Sequence, residues 1–73
     1  MKNFLELLPN NYLPLIANGH NEYPAIYDSN NKEIYIFFES DIVKFNKFEI
    51  AENFTLYNLN GIKLDLEKLF NNI

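Results

Sequence analysis

Cysteine, arginine, glutamine and tryptophan are absent from this 73-residue chain, and histidine occurs once, at His20. Without cysteine there is no disulfide, and a single histidine rules out the four-ligand zinc sites built from cysteine and histidine. Without arginine there is no guanidinium group to hold a phosphate or a carboxylate through two parallel hydrogen bonds. These absences remove most of the side chains on which catalysis and nucleic-acid binding depend.

Positive charge is also scarce, because six Lys face ten Asp and Glu and leave a net charge of −4. The phosphate backbone of nucleic acids and anionic membrane surfaces both repel such a chain. A basic protein partner is favoured instead.

No apolar run approaches the roughly 20 residues of a membrane-spanning helix. The N-terminal residues show no signal-peptide cleavage site. We therefore expect a cytoplasmic protein that binds neither nucleic acid nor a membrane.

Asparagine and aromatic residues are abundant, with thirteen Asn, seven Phe and five Tyr. A chain of this length buries only about 60% of its unfolded surface. Each aromatic ring can bury roughly 150–250 Å². We expect one compact domain over residues 1–73, whose rings either fill the core or contact a partner.

Residues 1–19 are predicted to form two short helices. The first carries an apolar stripe that Pro9 ends, formed by Phe4, Leu5, Leu7 and Leu8. The second begins at Asn10 or Asn11, has Pro14 near its first turn and ends at Gly19, in agreement with the positional preferences of these residue types.

The pattern then changes to that of β-strands. Residues 23–27 and 33–39 are strand-like and are joined by the turn-forming residues 28–32, which predicts a hairpin. Residues 42–50 offer a third strand.

Asn60-Gly61 is the preferred two-residue hairpin turn. It pairs Leu59 with Ile62 and Tyr57 with Leu64. A helix from about residue 62 competes with this interpretation, and a final short helix is expected from roughly Glu67. Together these elements predict an α+β fold, in which N-terminal helical segments pack on a mainly antiparallel sheet of four to five strands and a short helix ends the chain.

Few residues are candidates for catalysis. His20 is either a general base oriented by Glu22 or a solvated loop residue. Glu39 and Asp41 form either an acid–base or metal-binding pair or a solvated turn. Neither serine, at positions 29 and 40, has a histidine nearby in sequence. We therefore predict no enzymatic activity, no cofactor and no metal site.

Aromatic and acidic residues alternate around the first hairpin. Tyr23, Tyr27, Tyr35 and Phe37 either lie under the N-terminal helices or form an open, acid-rimmed surface suited to a protein partner. The predicted partner-binding residues are Glu22, Glu33, Tyr35, Phe37, Glu39 and Asp41.

The segment Leu8-Pro9-Asn10-Asn11-Tyr12-Leu13, followed by Asn18-Gly19, resembles the opening of SUKH-superfamily immunity proteins. That family shows a Leu-Pro, an aromatic residue shortly after it, a short helix and an Asn-Gly. The resemblance implies an α+β fold and a cytosolic bacterial protein that neutralises a toxin. This chain is shorter than a typical member and lacks the usual tryptophan.

These observations predict a small, acidic, non-enzymatic inhibitor of a basic protein, either a toxin immunity protein or a phage-encoded inhibitor of a host defence nuclease. The alternative is a structural or assembly protein that forms a homodimer through a sheet edge or through the aromatic face.

Overall fold

A computed structural model describes residues 11–71. It contains one antiparallel sheet of five strands: β1 (Tyr12–Asn18), β2 (Glu22–Asp28), β3 (Glu33–Phe38), β4 (Asp41–Phe45) and β5 (Thr55–Tyr57). Their order across the sheet is β4-β3-β2-β1-β5. The first four strands form a meander. Helix α1 (Lys47–Asn53) then carries the chain from the β4 edge to the β5 edge, and helix α2 (Leu66–Phe70) follows.

Alternate residues of the strands build the core on one side of the sheet, here called the inner face. Ile34 and Ile36 of β3 are both 0% exposed, as expected for residues two apart on a strand. The helices contribute Ile50 and Phe70 to the same cluster. Its other buried members are Leu15, Ala17, Ala25, Tyr27 and Leu56.

The hairpin between β2 and β3 is confirmed, with Asp28 opposite Glu33 at its closed end. Asp28 organises the turn: its Oδ1 accepts hydrogen bonds from the backbone N–H of Asn30 at 3.0 Å and from Asn11 Nδ2 at 3.2 Å. Its Oδ2 accepts one from Asn31 Nδ2 at 2.9 Å. Lys32 ends the turn with a φ of 58°.

The predicted α+β fold, with N-terminal helices packed on the sheet, is wrong. The molecule is mostly a five-stranded antiparallel sheet with two short helices. Residues 12–18 form β1 and not a second helix, and the predicted first helix lies outside the described residues. Pro14 is tolerated in this strand because β5 pairs only with residues 16–18. Among the described residues, β1 at Pro14 is therefore paired with β2 only. Because Ser29 N–H donates to the Asn11 carbonyl, the alternation of the ladder directs the nitrogen of Pro14 away from β2, where proline costs no ladder hydrogen bond.

The third predicted strand, residues 42–50, is wrong in its second half. Strand β4 ends at Phe45, and Asn46 caps helix α1. The Asn46 side chain accepts a hydrogen bond from the Glu49 backbone N–H at 2.9 Å, and the Glu49 side chain accepts one from the Asn46 backbone N–H at 2.8 Å. This reciprocal capping box begins a helix in the middle of the predicted strand.

The turn at Asn60-Gly61 is present, but its register differs from the prediction. Tyr57 lies opposite Lys63 and not opposite Leu64. Asn58 Oδ1 accepts hydrogen bonds from the N–H groups of Asn60 and Ile62, which makes a three-residue loop that ends at Gly61 with a φ of 83°. This is the three-residue hairpin loop with a bulge. Beyond Lys63 the chain leaves the sheet, and the Asp65 side chain caps α2.

Candidate functional site

The second side of the sheet, here called the outer face, is also apolar. The strand register places Tyr35 opposite Ile26 and Lys44, and directly opposed residues share a face. By the same register the apolar and aromatic side chains of the outer face are Tyr12, Pro14, Ile16, Pro24, Ile26, Tyr35, Phe37, Ile42 and Tyr57.

Neither helix covers this face. The buried residues of both helices, Ile50 and Phe70, belong to the inner-face cluster. Ile42 is 58% exposed, and Tyr35 and Phe37 are half-buried. Within residues 11–71 the sheet thus has one covered apolar face and one open apolar face. An open apolar surface of this kind is typical of interaction sites.

Three of the predicted partner-binding residues follow one another on the outer face of β3. Glu33, Tyr35 and Phe37 alternate with the buried Ile34 and Ile36. The Glu33 carboxylate lies 3.4 Å from Lys44 Nζ, so it is partly neutralised by its own sheet.

The remaining predicted residues lie at the far end of the sheet. Glu22 and Glu39 line one shallow groove together with Phe37. Asp41 lies opposite Phe38, on the inner side of the same end. Glu33 is six residues from Glu39 along the chain, which is about 20 Å on an extended strand. The structure therefore places Glu22, Phe37, Glu39 and Asp41 at one end of the sheet and Glu33 at the other.

The four aromatic residues expected to share a face do not share one. Tyr35 and Phe37 lie on the outer face, whereas Tyr23 and Tyr27 lie on the inner face. The Tyr23 ring is 4.6 Å from that of Phe38, and the Tyr27 ring is 5.0 Å from that of Phe70. Two of the four rings are thus part of the core packing.

Two ionisable groups of β2 have shifted pKa values. Burial raises the pKa of the Tyr27 hydroxyl, and the adjacent Asp28 carboxylate raises it further. The Tyr27 hydroxyl is buried and has no hydrogen-bond partner among residues 11–71. Burial alone would raise the pKa of Asp28, but hydrogen bonds from Asn31, Asn11 and Asn30 outweigh it and lower the pKa. Tyr27 stays neutral and Asp28 stays charged at neutral pH.

A second groove opens on the inner side of the same sheet end, between the strands and α1. Its volume is about 740 Å³. Four half-buried rings line it: Tyr23, Phe38, Phe45 and Phe54. The exposed His20 and Glu52 lie at its rim. We call this the aromatic groove. The sequence pattern does not reveal this groove, because residues 42–50 are predicted to form one strand. In the structure β4 ends at Phe45, and α1 follows and places Phe54 beside that ring.

The candidate catalytic residues do not assemble into a reactive site in the described chain. His20 is exposed and makes no hydrogen bond to Glu22 within residues 11–71. The Ser29 hydroxyl donates to the Asn11 carbonyl at 3.1 Å. Ser40 is exposed in the turn before β4. No group of three Asp, Glu or His side chains in the described range comes together as a metal site.

None of the helices between residues 11 and 71 has the length and apolar character needed to cross a membrane. Comparison of the chain with protein-family models, with curated proteins and with solved structures found no match.

Proposed function

We propose that this protein is a small, non-enzymatic inhibitor that binds a basic protein partner through the outer face of its sheet. The observation that carries the proposal is the open apolar face around Tyr35 and Phe37. Buried tyrosine and other aromatic side chains are enriched among the few residues that dominate the binding energy of protein interfaces. The partner would be a bacterial toxin or a defence nuclease, so that the protein acts as an immunity protein or as a phage-encoded inhibitor, in the cytoplasm.

The charges next to this face favour a basic partner. Glu22 and Glu39 flank Phe37 in its groove, and no lysine of residues 11–71 lines that groove. Carboxylates at this position accelerate the approach of a basic cleft and imitate the phosphates that a nucleic-acid-handling enzyme binds. The rings then limit dissociation, because buried aromatic contacts act mainly on the off-rate.

Photo-crosslinking can identify the partner and test the face at the same time. A photoreactive phenylalanine analogue at position 37 places the probe on the outer face. The matched control is position 48, because Phe48 is 75% exposed but lies on α1. We expect a crosslink to a protein partner from position 37 and none from position 48. Crosslinking from position 48 alone would place the interface elsewhere.

The purified partner then allows the contributions of rings and charges to be separated. Tyr35→Ala should weaken binding by about 1–3 kcal/mol, mainly through faster dissociation. Glu22→Lys with Glu39→Lys should slow association, and the effect should shrink at high salt. Partner activity should return in proportion to the lost binding. If Tyr35→Ala unfolds the protein and the charge reversals leave binding unchanged, the outer face is not the site.

A homodimer is the second candidate function, and the β4 edge favours it. Strand β4 is the last strand on its side of the sheet within the described residues. Its Ile42 is 58% exposed. Unpaired strand edges of this kind can pair with a second copy. Sedimentation of the purified protein tests this, because a monomer at high concentration contradicts an assembly role.

A further inference from the structure

The aromatic groove has the composition of a cation-binding site. Aromatic faces attract ammonium groups through the negative potential of the ring. Its four rings form a continuous series of edge-to-face pairs, with centroid distances of 4.6 Å for Tyr23 and Phe38, 6.4 Å for Phe38 and Phe45, and 5.5 Å for Phe45 and Phe54. All four are half-buried, so each ring also faces the open groove.

The charges around the groove match a positively charged ligand. Glu52 lies at its rim, and Glu22 and Glu39 line the neighbouring groove, which shares Tyr23 and Phe38 with it. None of the five lysines between residues 11 and 71 lines either groove. Two of these lysines are held by carboxylates elsewhere, Lys44 by Glu33 and Lys47 by Glu67. Among the described residues, a cation in this groove therefore meets four rings and the Glu52 carboxylate, with Glu22 and Glu39 in the neighbouring groove and no lysine in either.

The angles between the rings select the shape of the cation. Successive rings are inclined by 65°, 70° and 62°, so no two neighbouring rings in the series present parallel faces. A planar guanidinium group stacks best on a flat aromatic face. A compact ammonium group can contact several inclined faces at once, as in the aromatic cages that recognise ammonium ligands.

We infer that the aromatic groove binds the ammonium group of a lysine side chain presented by the basic protein partner. This inference rests on the proposed function. It adds that a lysine of the same partner enters the groove on the inner side of the sheet, at the end that carries Glu22 and Glu39. The groove volume of about 740 Å³ exceeds that of one side chain. The remaining space accommodates neighbouring residues of the partner chain or water.

A titration with small probes tests the groove without the partner. Nα-acetyl-lysine methylamide is compared with Nα-acetyl-norleucine methylamide, which has the same carbon chain and no charge. Binding is followed by NMR through the backbone amides of residues 18–23 and 51–55. We expect the lysine probe to bind about fivefold more tightly than the norleucine probe, as a partly exposed cation–π contact predicts. The arginine analogue should bind less tightly than the lysine probe.

Two variants assign the effect to the groove. Glu52→Gln, at an exposed position that makes no hydrogen bond or ion pair within residues 11–71, should reduce the lysine preference. Glu33→Gln removes the same charge at the other end of β3 and should leave the preference unchanged. Phe54→Leu keeps an apolar wall without a π-face, so norleucine binding should persist while the lysine preference falls.

The inference is overturned if lysine and norleucine bind equally, if neither binds, if arginine binds more tightly, or if the shifted amides lie outside the groove. Failure of the proposed function looks different. In that case the lysine probe binds as expected, but position 37 yields no crosslinked protein and no partner responds to Tyr35→Ala.

Discussion

The two faces of the sheet are both apolar, yet only one is buried within the described structure. Along β3, Ile34 and Ile36 are 0% exposed, whereas Tyr35 and Phe37 between them are half-buried. The difference comes from the helices, because α1 and α2 place Ile50 and Phe70 against the inner face. The comparison teaches that apolar alternation on a strand identifies two faces but does not say which one the chain itself covers.

The largest expected effect separates the faces by stability. Ile36→Ala leaves a cavity in the inner core and should lower the free energy of unfolding by about 2–5 kcal/mol. Tyr35→Ala, its neighbour on the outer face, should cost about 1 kcal/mol or less, chiefly through strand propensity. Urea denaturation measures both. Equal losses would mean that the outer face is packed as firmly as the inner one, and the proposed binding surface would have to be abandoned.

The next largest effect concerns the turn between β2 and β3, which Asp28 organises. Asp28 accepts hydrogen bonds from Asn11, Asn30 and Asn31, and removal of a buried acceptor leaves its donors unpaired. Asp28→Ala should therefore lower the urea midpoint clearly. Since Ser29 donates its hydroxyl to the Asn11 carbonyl at 3.1 Å, Ser29→Ala provides a milder control in the same turn.

The lowered pKa of Asp28 also predicts a pH dependence. The pKa of the Asp28 carboxyl is lower in the folded protein than in the unfolded chain, where an aspartate has a pKa of about 3.8. The stability from Asp28 is therefore complete above this value and is lost as the pH falls through the lower folded pKa. Asp28→Asn cannot titrate, so its stability should fall less than that of the wild type below about pH 4. Parallel curves for the two proteins would contradict the assignment.

A smaller effect tests the helix that covers the inner face. Asn46→Ala removes the cap of α1 and should cost about 1 kcal/mol. Asn46→Asp keeps an accepting oxygen and should cost much less. Thermal unfolding followed by circular dichroism measures both variants. If Asn46→Ala leaves the melting temperature unchanged, then packing of Ile50 alone, and not the cap, holds α1 on the sheet.

The sequence predicts an element correctly where its turn residues and its apolar pattern indicate the same structure. The hairpin of β2 and β3 was predicted because turn residues separate two strand-like runs and Asp28 favours the turn. The antiparallel sheet was predicted for the same reason. The start of α1 was also available from the sequence, since Asn46 precedes Glu49 by three residues, but the strand-like residues before it obscured that signal.

Other features depend on contacts that no local pattern encodes. Residues 12–18 and their neighbours carry the asparagine, proline and glycine signals of a short helix, but pairing with β2 and β5 makes residues 12–18 a strand. The register at Asn60-Gly61 depends on the Asn58 side chain, which adds one residue to the loop. The aromatic groove exists only because α1 brings Phe54 beside Phe45, at a ring distance of 5.5 Å.

The smallest expected effect is the difference in coupling energy between two ion pairs, one on the outer face and one between the helices. Lys44 and Glu33 approach to 3.4 Å on the outer face, and Lys47 and Glu67 approach to 2.9 Å where α1 meets α2. Exposed pairs of this kind contribute roughly 0.2–1 kcal/mol, because water and salt screen them. Double-mutant cycles with methionine for lysine and glutamine for glutamate should give a smaller coupling for the outer pair, since it is longer. Both couplings should decline in high salt. A large, salt-insensitive coupling between Lys44 and Glu33 would show that this part of the outer face is shielded from solvent. Tyr35, which lies opposite Lys44, would then belong to a second covered face and would not be open to a partner.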